Sequence, residues 1–300
     1  MAVKNEFWVK YILNRFWKLN EFLKYAYNED EFVVGGAIVH LPQPGALPTV
    51  VKNRSSFPAT AVRRTDTDIT YVLDEYTTDP VHIQDAEKKE LSYNKIDSVF
   101  LDHVNGLSET VADDLLIKWA TGASSSIIRT TGGSTAALVT GQTGTRKVLI
   151  DNDLQRSKLA MNLQNVPAND RFALLEDNMG DQLFTSLGSN GYKDFSAYAD
   201  AKAGVVGKLH GFNIMTRSSV VMSSNADAVN ALGAEVADDD NITSLLWQKD
   251  CVTRAMGNVQ LFQRQNDPLY YGDIYSALMR MGGRVRRTAG TGVIKLVQGV

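Results

Sequence analysis

The sequence predicts an α+β protein, and three features of the chain lead there. A β-branched, proline-punctuated stretch from residue 34 to 90 has no helical period. One stripe of apolar residues at helical spacing runs from residue 94 to 120. The second half then alternates helical and strand-like segments before closing on strands. The composition agrees: 300 residues with 44% hydrophobic and 22% charged side chains can bury sizeable cores, which rules out disorder as the dominant state.

Residues 6 to 28 place Trp8, Ile12, Phe16, Leu19, Leu23 and Ala26 at steps of three and four, the spacing of one helical face. Its aromatic crowding leaves two readings open, a face packed on the chain's own core or a docking arm for a neighbouring subunit. Lys10, Arg15, Lys18 and Lys24 interrupt the segment and no small-residue cleavage site follows, so a secretory leader is not expected. Nowhere does an uncharged apolar run approach the roughly 20 residues that span a bilayer.

Pro42, Pro44, Pro48, Pro58 and Pro80 punctuate the stretch that follows, which reads as an extended, strand-rich excursion. Its charges segregate. Thr49 to Thr65 holds Lys52, Arg54, Arg63 and Arg64 with no acid, a net +4, whereas Asp66 to Glu90 holds eight acids against Lys88 and Lys89, a net −6. A solvated hairpin fits this pattern, and so does head-to-tail contact between identical copies.

The longest helix is expected from Asn94 to Ala120, with Ile96, Phe100, Val104, Leu107, Val111, Leu115 and Trp119 on one stripe. Asn94 would cap it, Gly122 lies just beyond its end, and Gly106 costs stability at its middle. At 1.5 Å per residue it would be roughly 40 Å long, more than a compact enzyme core asks of one helix. Thr121 to Thr145, rich in Gly, Ser and Thr, reads as loops and edge strands. Beyond it, helices are expected at Asp153 to Asn165, Asn178 to Leu187, Asp194 to Lys202 and Lys249 to Met256. Strands are expected at Arg171 to Leu175, Lys208 to Thr216 and Ser244 to Trp247, then at Val259 to Arg264, Asp273 to Arg287 and Gly292 to Val297.

Motifs for catalysis, cofactors or metals are missing from this pattern. Gly141-Gln-Thr-Gly144-Thr-Arg-Lys147 lacks the spacing of a phosphate loop, and no G-x-S-x-G elbow occurs. His40, His82, His103 and His210 are scattered without zinc-ligand spacing, Asp66-Thr-Asp68 has no nucleotide-binding unit around it, and the single Cys251 excludes both a disulfide framework and a Cys-based zinc site. No catalytic, cofactor-binding or metal-ligating residue is therefore expected. Thirty-one basic against 34 acidic residues give a net −3, too little positive charge for tight nucleic-acid binding. Ile274 to Val300 nevertheless carries a local +5 through Arg280, Arg284, Arg286, Arg287 and Lys295. It reads as a solvated basic strand pair, an inter-subunit ion-pairing surface or a weak DNA-facing one.

Several stretches, in a shared order, resemble coat-protein sequences: Val39-His-Leu-Pro-Gln-Pro-Gly45, Arg64-Thr-Asp-Thr-Asp68 leading into Asp74-Glu-Tyr-Thr-Thr-Asp-Pro80, Asn165-Val-Pro167 before Arg171-Phe-Ala-Leu-Leu175, Gly207-Lys-Leu-His-Gly-Phe-Asn-Ile214, and Tyr271-Gly-Asp-Ile274 before Gly282-Gly-Arg284. With the order of elements, they make nearly the whole chain resemble the major capsid proteins of tailed double-stranded DNA bacteriophages, the Hong Kong 97 fold. The resemblance implies an N-terminal arm at 1–33, an extended loop at 34–92, a peripheral domain with a spine helix at 93–150, an axial α/β domain at 151–258 and peripheral return strands at 259–300.

It also implies a non-enzymatic protein of the virion, made and assembled in the bacterial host cytoplasm, whose copies associate as hexamers and pentamers around the genome. The implied partners are further copies of the chain, portal, scaffold and decoration proteins, and packaged DNA held by nonspecific contact; no membrane is involved. No long scaffolding extension precedes the arm, so a fused scaffold is not expected. No motif carries over the Lys–Asn cross-linking of some relatives. In the family the extended loop lies across a neighbouring subunit. The aromatic N-terminal face, the basic half of the loop and the basic C-terminal run together make Trp8, Phe16, Lys52, Arg54, Arg63, Arg64, Arg284, Arg286 and Arg287 the expected inter-subunit contacts. An encapsulin-type shell around cargo enzymes is the alternative on the same fold, and a soluble α/β enzyme with a dispersed site is a more distant one.

Overall fold

A computed structural model of the chain describes residues 20–32, 38–85, 95–123, 126–200, 204–287 and 290–300. Its strands, in chain order, begin with β1 (Tyr27–Asn28), β2 (Ile38–Gln43), β3 (Thr67–Val72), β4 (Asp74–Thr77) and β5 (Val81–Gln84), which lead into helix α1 (Lys95–Gly122). Then come β6 (Ile127–Arg129), β7 (Ser134–Ala136), β8 (Thr145–Lys147), α2 (Asp151–Leu163), β9 (Arg171–Glu176) and α3 (Asp177–Ser196). The chain closes on β10 (Gly207–Leu209), β11 (Phe212–Arg217), β12 (Val221–Ser223), β13 (Asn241–Gln248), β14 (Thr253–Asp267), β15 (Gly272–Gly282) and β16 (Val293–Val297).

Two sheets carry the fold, and α1 packs against both. One has the strand order β1-β14-β15-β4, with β5 also on β15; the other runs β10-β11-β9-β13-β16-β6, with β12 beside β13. Every residue of β9, β13 and β16 is buried, the signature of strands covered on both faces. The expected stripe of α1 is its buried face: Phe100, Val104, Leu107, Val111, Leu115 and Trp119 are all in the core. Phe100 meets Tyr275 of the first sheet edge-on at 5.4 Å, while Trp119 packs on Trp247 of the second at 5.5 Å. Trp119 also donates its indole N–H to the Thr253 carbonyl at 3.1 Å. One helix thus spans both sheets, and at 28 residues it is about 42 Å long.

The extended loop is a β2–β3 hairpin in register from Ile38–Val72 to Gln43–Thr67, with residues 44–66 beyond it in no strand. Its base alternates buried and exposed residues, and Val39, Leu41, Ile69, Tyr71 and Leu73 form a small core closed by Ala255 of β14. Two of the glycine motifs mark close backbone approaches. A Cβ at Gly272 would collide with the Ile83 carbonyl oxygen where β5 lies on β15, and one at Gly283 would collide with the Thr253 carbonyl oxygen and with Leu115 of α1.

The structure corrects several expected elements. The helical face of residues 6 to 28 lies mostly outside the described residues. Where the chain is described, it makes only a 3₁₀ turn, Glu21–Tyr25, before Tyr27 and Glu29 donate backbone N–H groups to the carbonyls of Val252 and Arg254, both at 2.9 Å. Pairing with β14 overrides the helical spacing. The helix expected at 249–256 is a 3₁₀ turn, Lys249–Cys251, capped by the Gln248 side chain, after which β14 begins. The helix expected at 194–202 is the end of α3, which breaks at Gly188 (φ 65°) and stops at Ser196. The strand expected at 208–216 is a hairpin of β10 and β11 around Gly211, and Gly122 belongs to α1 rather than following it. The cap expected at Asn94 lies outside the described residues. β6 and β16 both join the sheet built on β9 and β13.

Candidate interaction surfaces

Among the described residues no group of three His, Cys, Asp or Glu side chains is placed to hold a metal ion. Burial pushes the Cys251 thiol above its ordinary pKa, the opposite of an activated nucleophile. The features that stand out are surfaces of the extended loop and of α1.

At the loop tip, Leu47, Val50, Phe57 and Val62 are 91%, 93%, 77% and 86% exposed. Apolar side chains so bare on one segment are costly unless something covers them. Lys52, Arg54 and Arg63 are exposed beside them with no ion-pair partner among the described residues. Arg64 differs: its guanidinium forms a fork on Asp66 at 2.6 and 2.8 Å, and Asp66 also accepts the Gly45 N–H at 2.8 Å, closing the neck of the loop. The bonds from Arg64 and from the Gly45 N–H hold the Asp66 carboxyl below the usual carboxylate range.

The acidic half of the loop is largely consumed inside the chain. Asp68 pairs with His40 at 2.8 Å, Asp74 with Lys118, and Glu75 takes both Nε and Nη2 of Arg280 at 3.0 and 2.9 Å. Lys118 also pairs with Asp114 at 2.7 Å, and these carboxylates keep its charged form favoured against burial.

The C-terminal cations likewise serve their own chain. Arg284 donates to the Thr70 carbonyl of β3 at 2.9 Å. Arg286 lies over the Tyr27 ring at 3.9 Å and reaches the buried Glu29 carboxylate at 3.3 Å. Glu29 accepts the Tyr71 hydroxyl at 2.7 Å, so β1, β3 and the segment after β15 meet on one carboxylate. Burial raises the Glu29 pKa, outweighing the opposing pull of Tyr71 and Arg286. Lys295 is buried in β16 and donates to the Asp227 carbonyl at 3.1 Å. Arg287 is exposed, and Trp8 and Phe16 lie outside the described residues. The predicted basic face is therefore partly a latch that seats the extended loop. Sequence reasoning missed Glu29 and Tyr71, which no local spacing links.

Two grooves flank α1. One, of about 300 Å³, has an apolar floor that includes Ile117, Val139, Val220 and Ile242. Its two lining acids are already engaged: Asp113 pairs with Arg217 at 2.5 Å, and Glu176 accepts from the Asn178 side chain and from the backbone N–H groups of Asn178 and Met179. The other, of about 310 Å³, lies between the residues around β5 and the first half of α1 and is lined by Asp79, Val81, Val99, Asp102, His103 and Gly106.

Compared with solved structures, the chain matches the capsid of cyanophage P-SCSP1u with a TM-score of 0.66 at 18% identity, over 91% of this chain and 86% of that one. It matches the capsid asymmetric unit of cyanophage Pam1 at 0.65 and 11% identity, over 93% and 92%. A virus-like particle from Pyrococcus furiosus matches at 0.56 and 9% identity, over 98% and 99%. No family model and no curated protein matches the sequence. At these identities the likeness establishes the fold, which is the α+β, Hong Kong 97-type fold of capsid shells.

Proposed function

We propose that the chain is the major capsid protein of a tailed double-stranded DNA bacteriophage, a structural, non-enzymatic protein that self-assembles as hexamers and pentamers into an icosahedral head shell. One observation carries the reading: a capsid fold over 91% of the chain presents an extended loop whose apolar tip is left bare by its own subunit. A second copy is the natural cover, because a shell repeats each contact many times and weak single contacts then suffice.

On this reading residues 1–33 form the arm, 34–92 the loop that reaches a neighbour, 93–150 and 259–300 the peripheral domain, and 151–258 the axial domain. Lys52, Arg54, Arg63 and the apolar tip contact the neighbour, as do Trp8 and Phe16 of the arm. Arg64, Arg284 and Arg286 act indirectly by shaping and seating the loop, and Arg287 remains available to a neighbour. The net charge of −3 leaves DNA contact weak and nonspecific. Portal, scaffold and decoration proteins complete the partners. The virion is the location, with synthesis and assembly in the host cytoplasm.

The full-length match to the Pyrococcus furiosus particle supports a second reading, an encapsulin-type compartment. Electron microscopy of the protein purified from its native source, with analysis of the particle contents, decides. Closed shells filled with duplex DNA are expected. Shells filled with a cargo protein would favour the compartment, and a monomer with no shells would overturn both.

A further inference from the structure

Helix α2 buries Leu154, Ser157 and Met161 and turns Asn152, Arg156, Leu159 and Leu163 outward at steps of four and three, one stripe along its length of about 20 Å. Leu159 is 57% and Leu163 76% exposed, one helical turn apart, so the stripe ends in a bare apolar pair. A groove of about 420 Å³ lies between this stripe and the turn that joins β10 to β11. Its lining includes Asn152, Gln155, Arg156, Lys158, Leu159 and His210.

The chain as a whole carries a net −3, yet no carboxylate lines this groove. Both acids of α2 lie in its first turn and both are engaged. Asp151 pairs with the His210 ring at 2.8 Å, while the buried Asp153 accepts the Thr131 hydroxyl at 2.7 Å and faces the Arg156 guanidinium at 3.3 Å. Lys158 stands exposed, and it, Asn152 and Gln155 have no hydrogen-bond or ion-pair partner among the described residues.

An occupant therefore meets two cations, two free amides and two leucines, a set that suits carboxylates interleaved with apolar side chains. Duplex DNA would satisfy Arg156 and Lys158 but leave Leu159 and Leu163 bare. The other described helices of a second copy do not supply the complement, because α1 and α3 bury their apolar stripes in their own subunit. The larger groove on α1 shares the apolar character, but Asp113 and Glu176 are engaged there, which leaves no charge to select a partner.

We infer that the α2 groove is the docking surface for a separate protein, which lays an acidic amphipathic helix along α2 with its apolar side chains on Leu159 and Leu163 and its carboxylates on Arg156 and Lys158. The inference stands apart from the shell reading, since binding is measured on the subunit whether or not shells form.

The probe is a fluorescein-labelled amphipathic peptide the length of α2, built of Leu, Glu and Ala with its leucines on one helical face. A basic twin has Lys in place of every Glu. Fluorescence anisotropy on the full chain at low salt should show the acidic peptide binding about tenfold more tightly than the basic one. Gln155→Glu with Lys158→Glu changes two exposed side chains that make no bond within the fold, and it is expected to reverse the preference, a swap that misfolding does not produce. Leu159→Ser with Leu163→Ser is expected to weaken both peptides several-fold with unchanged circular dichroism. An acidic peptide with photo-leucine at its centre should cross-link to α2, as mapped by mass spectrometry.

Equal affinity for the two peptides, or a preference that survives the reversal, would overturn the inference. Duplex DNA binding more tightly than the acidic peptide and lost on Lys158→Glu would assign the groove to nucleic acid instead. Loss of self-association in the Leu159→Ser, Leu163→Ser chain, with no peptide bound by the native chain, would assign it to a second copy.

Discussion

Glu29 illustrates how a single residue ties the loop to the body of the subunit. Its carboxyl holds a proton more tightly in the folded chain than at its ordinary value of 4.5. The folded state therefore binds more protons than the unfolded chain just above that pH, and the Glu29 contribution to stability falls as pH rises through the folded value. Glu29→Gln removes this dependence while keeping an acceptor for the Tyr71 hydroxyl. Urea unfolding between pH 4.5 and 7 should show a decline in the native chain that is smaller in the variant; equal slopes would show that Glu29 does not titrate in this window. Gly106 gives a second residue-scale prediction. On an exposed helix position, Ala is better than Gly by about 1 kcal/mol, and nothing lies within 4 Å of the added methyl, so Gly106→Ala should stabilise the subunit. Urea unfolding should show that gain, and equal or lower stability would contradict it.

At the scale of elements, α1 was the most legible part of the sequence because its stripe is long and its buried face continuous. The strands β9, β13 and β16 were legible as apolar runs too short for helices. What misled was local spacing in short segments. Residues 249–256 and 20–28 have helical periodicity, but both lie where a strand of the β14 sheet gains backbone hydrogen bonds from distant carbonyls. The latch of Glu29, Tyr71 and Arg286 was invisible for a related reason, since its members come together only through tertiary pairing of three segments. So were the groove acids, because Asp79 lies in the connection between β4 and β5 and Asp102 on α1. The importance of α1 as a bridge is testable at its end. Trp119 is fully buried, donates to Thr253 and packs on Trp247, so Trp119→Ala should cost about 3–5 kcal/mol in chemical denaturation. A loss under 1 kcal/mol would show that the two sheets do not depend on this contact.

For the whole molecule, the structure sharpens how the N-terminal arm should be tested. Removing residues 1–28 would take Phe22, Leu23 and Ala26 out of the core and Tyr27 out of its strand, so it would damage the subunit itself. Removing residues 1–19 spares every one of these. That truncation should leave a folded, soluble subunit that forms few closed shells, and normal shells from it would show that Trp8 and Phe16 have no part in assembly. The central claim, that copies of this chain are held together through the extended loop, is tested most directly by one comparison of particle mass. The native chain and the chain with residues 47–62 replaced by a Gly-Ser linker are analysed side by side by sedimentation velocity under assembly conditions. The native chain should sediment as closed particles of many subunits and the linker chain as free subunits or single capsomers with unchanged circular dichroism. Closed particles from both chains would contradict the claim.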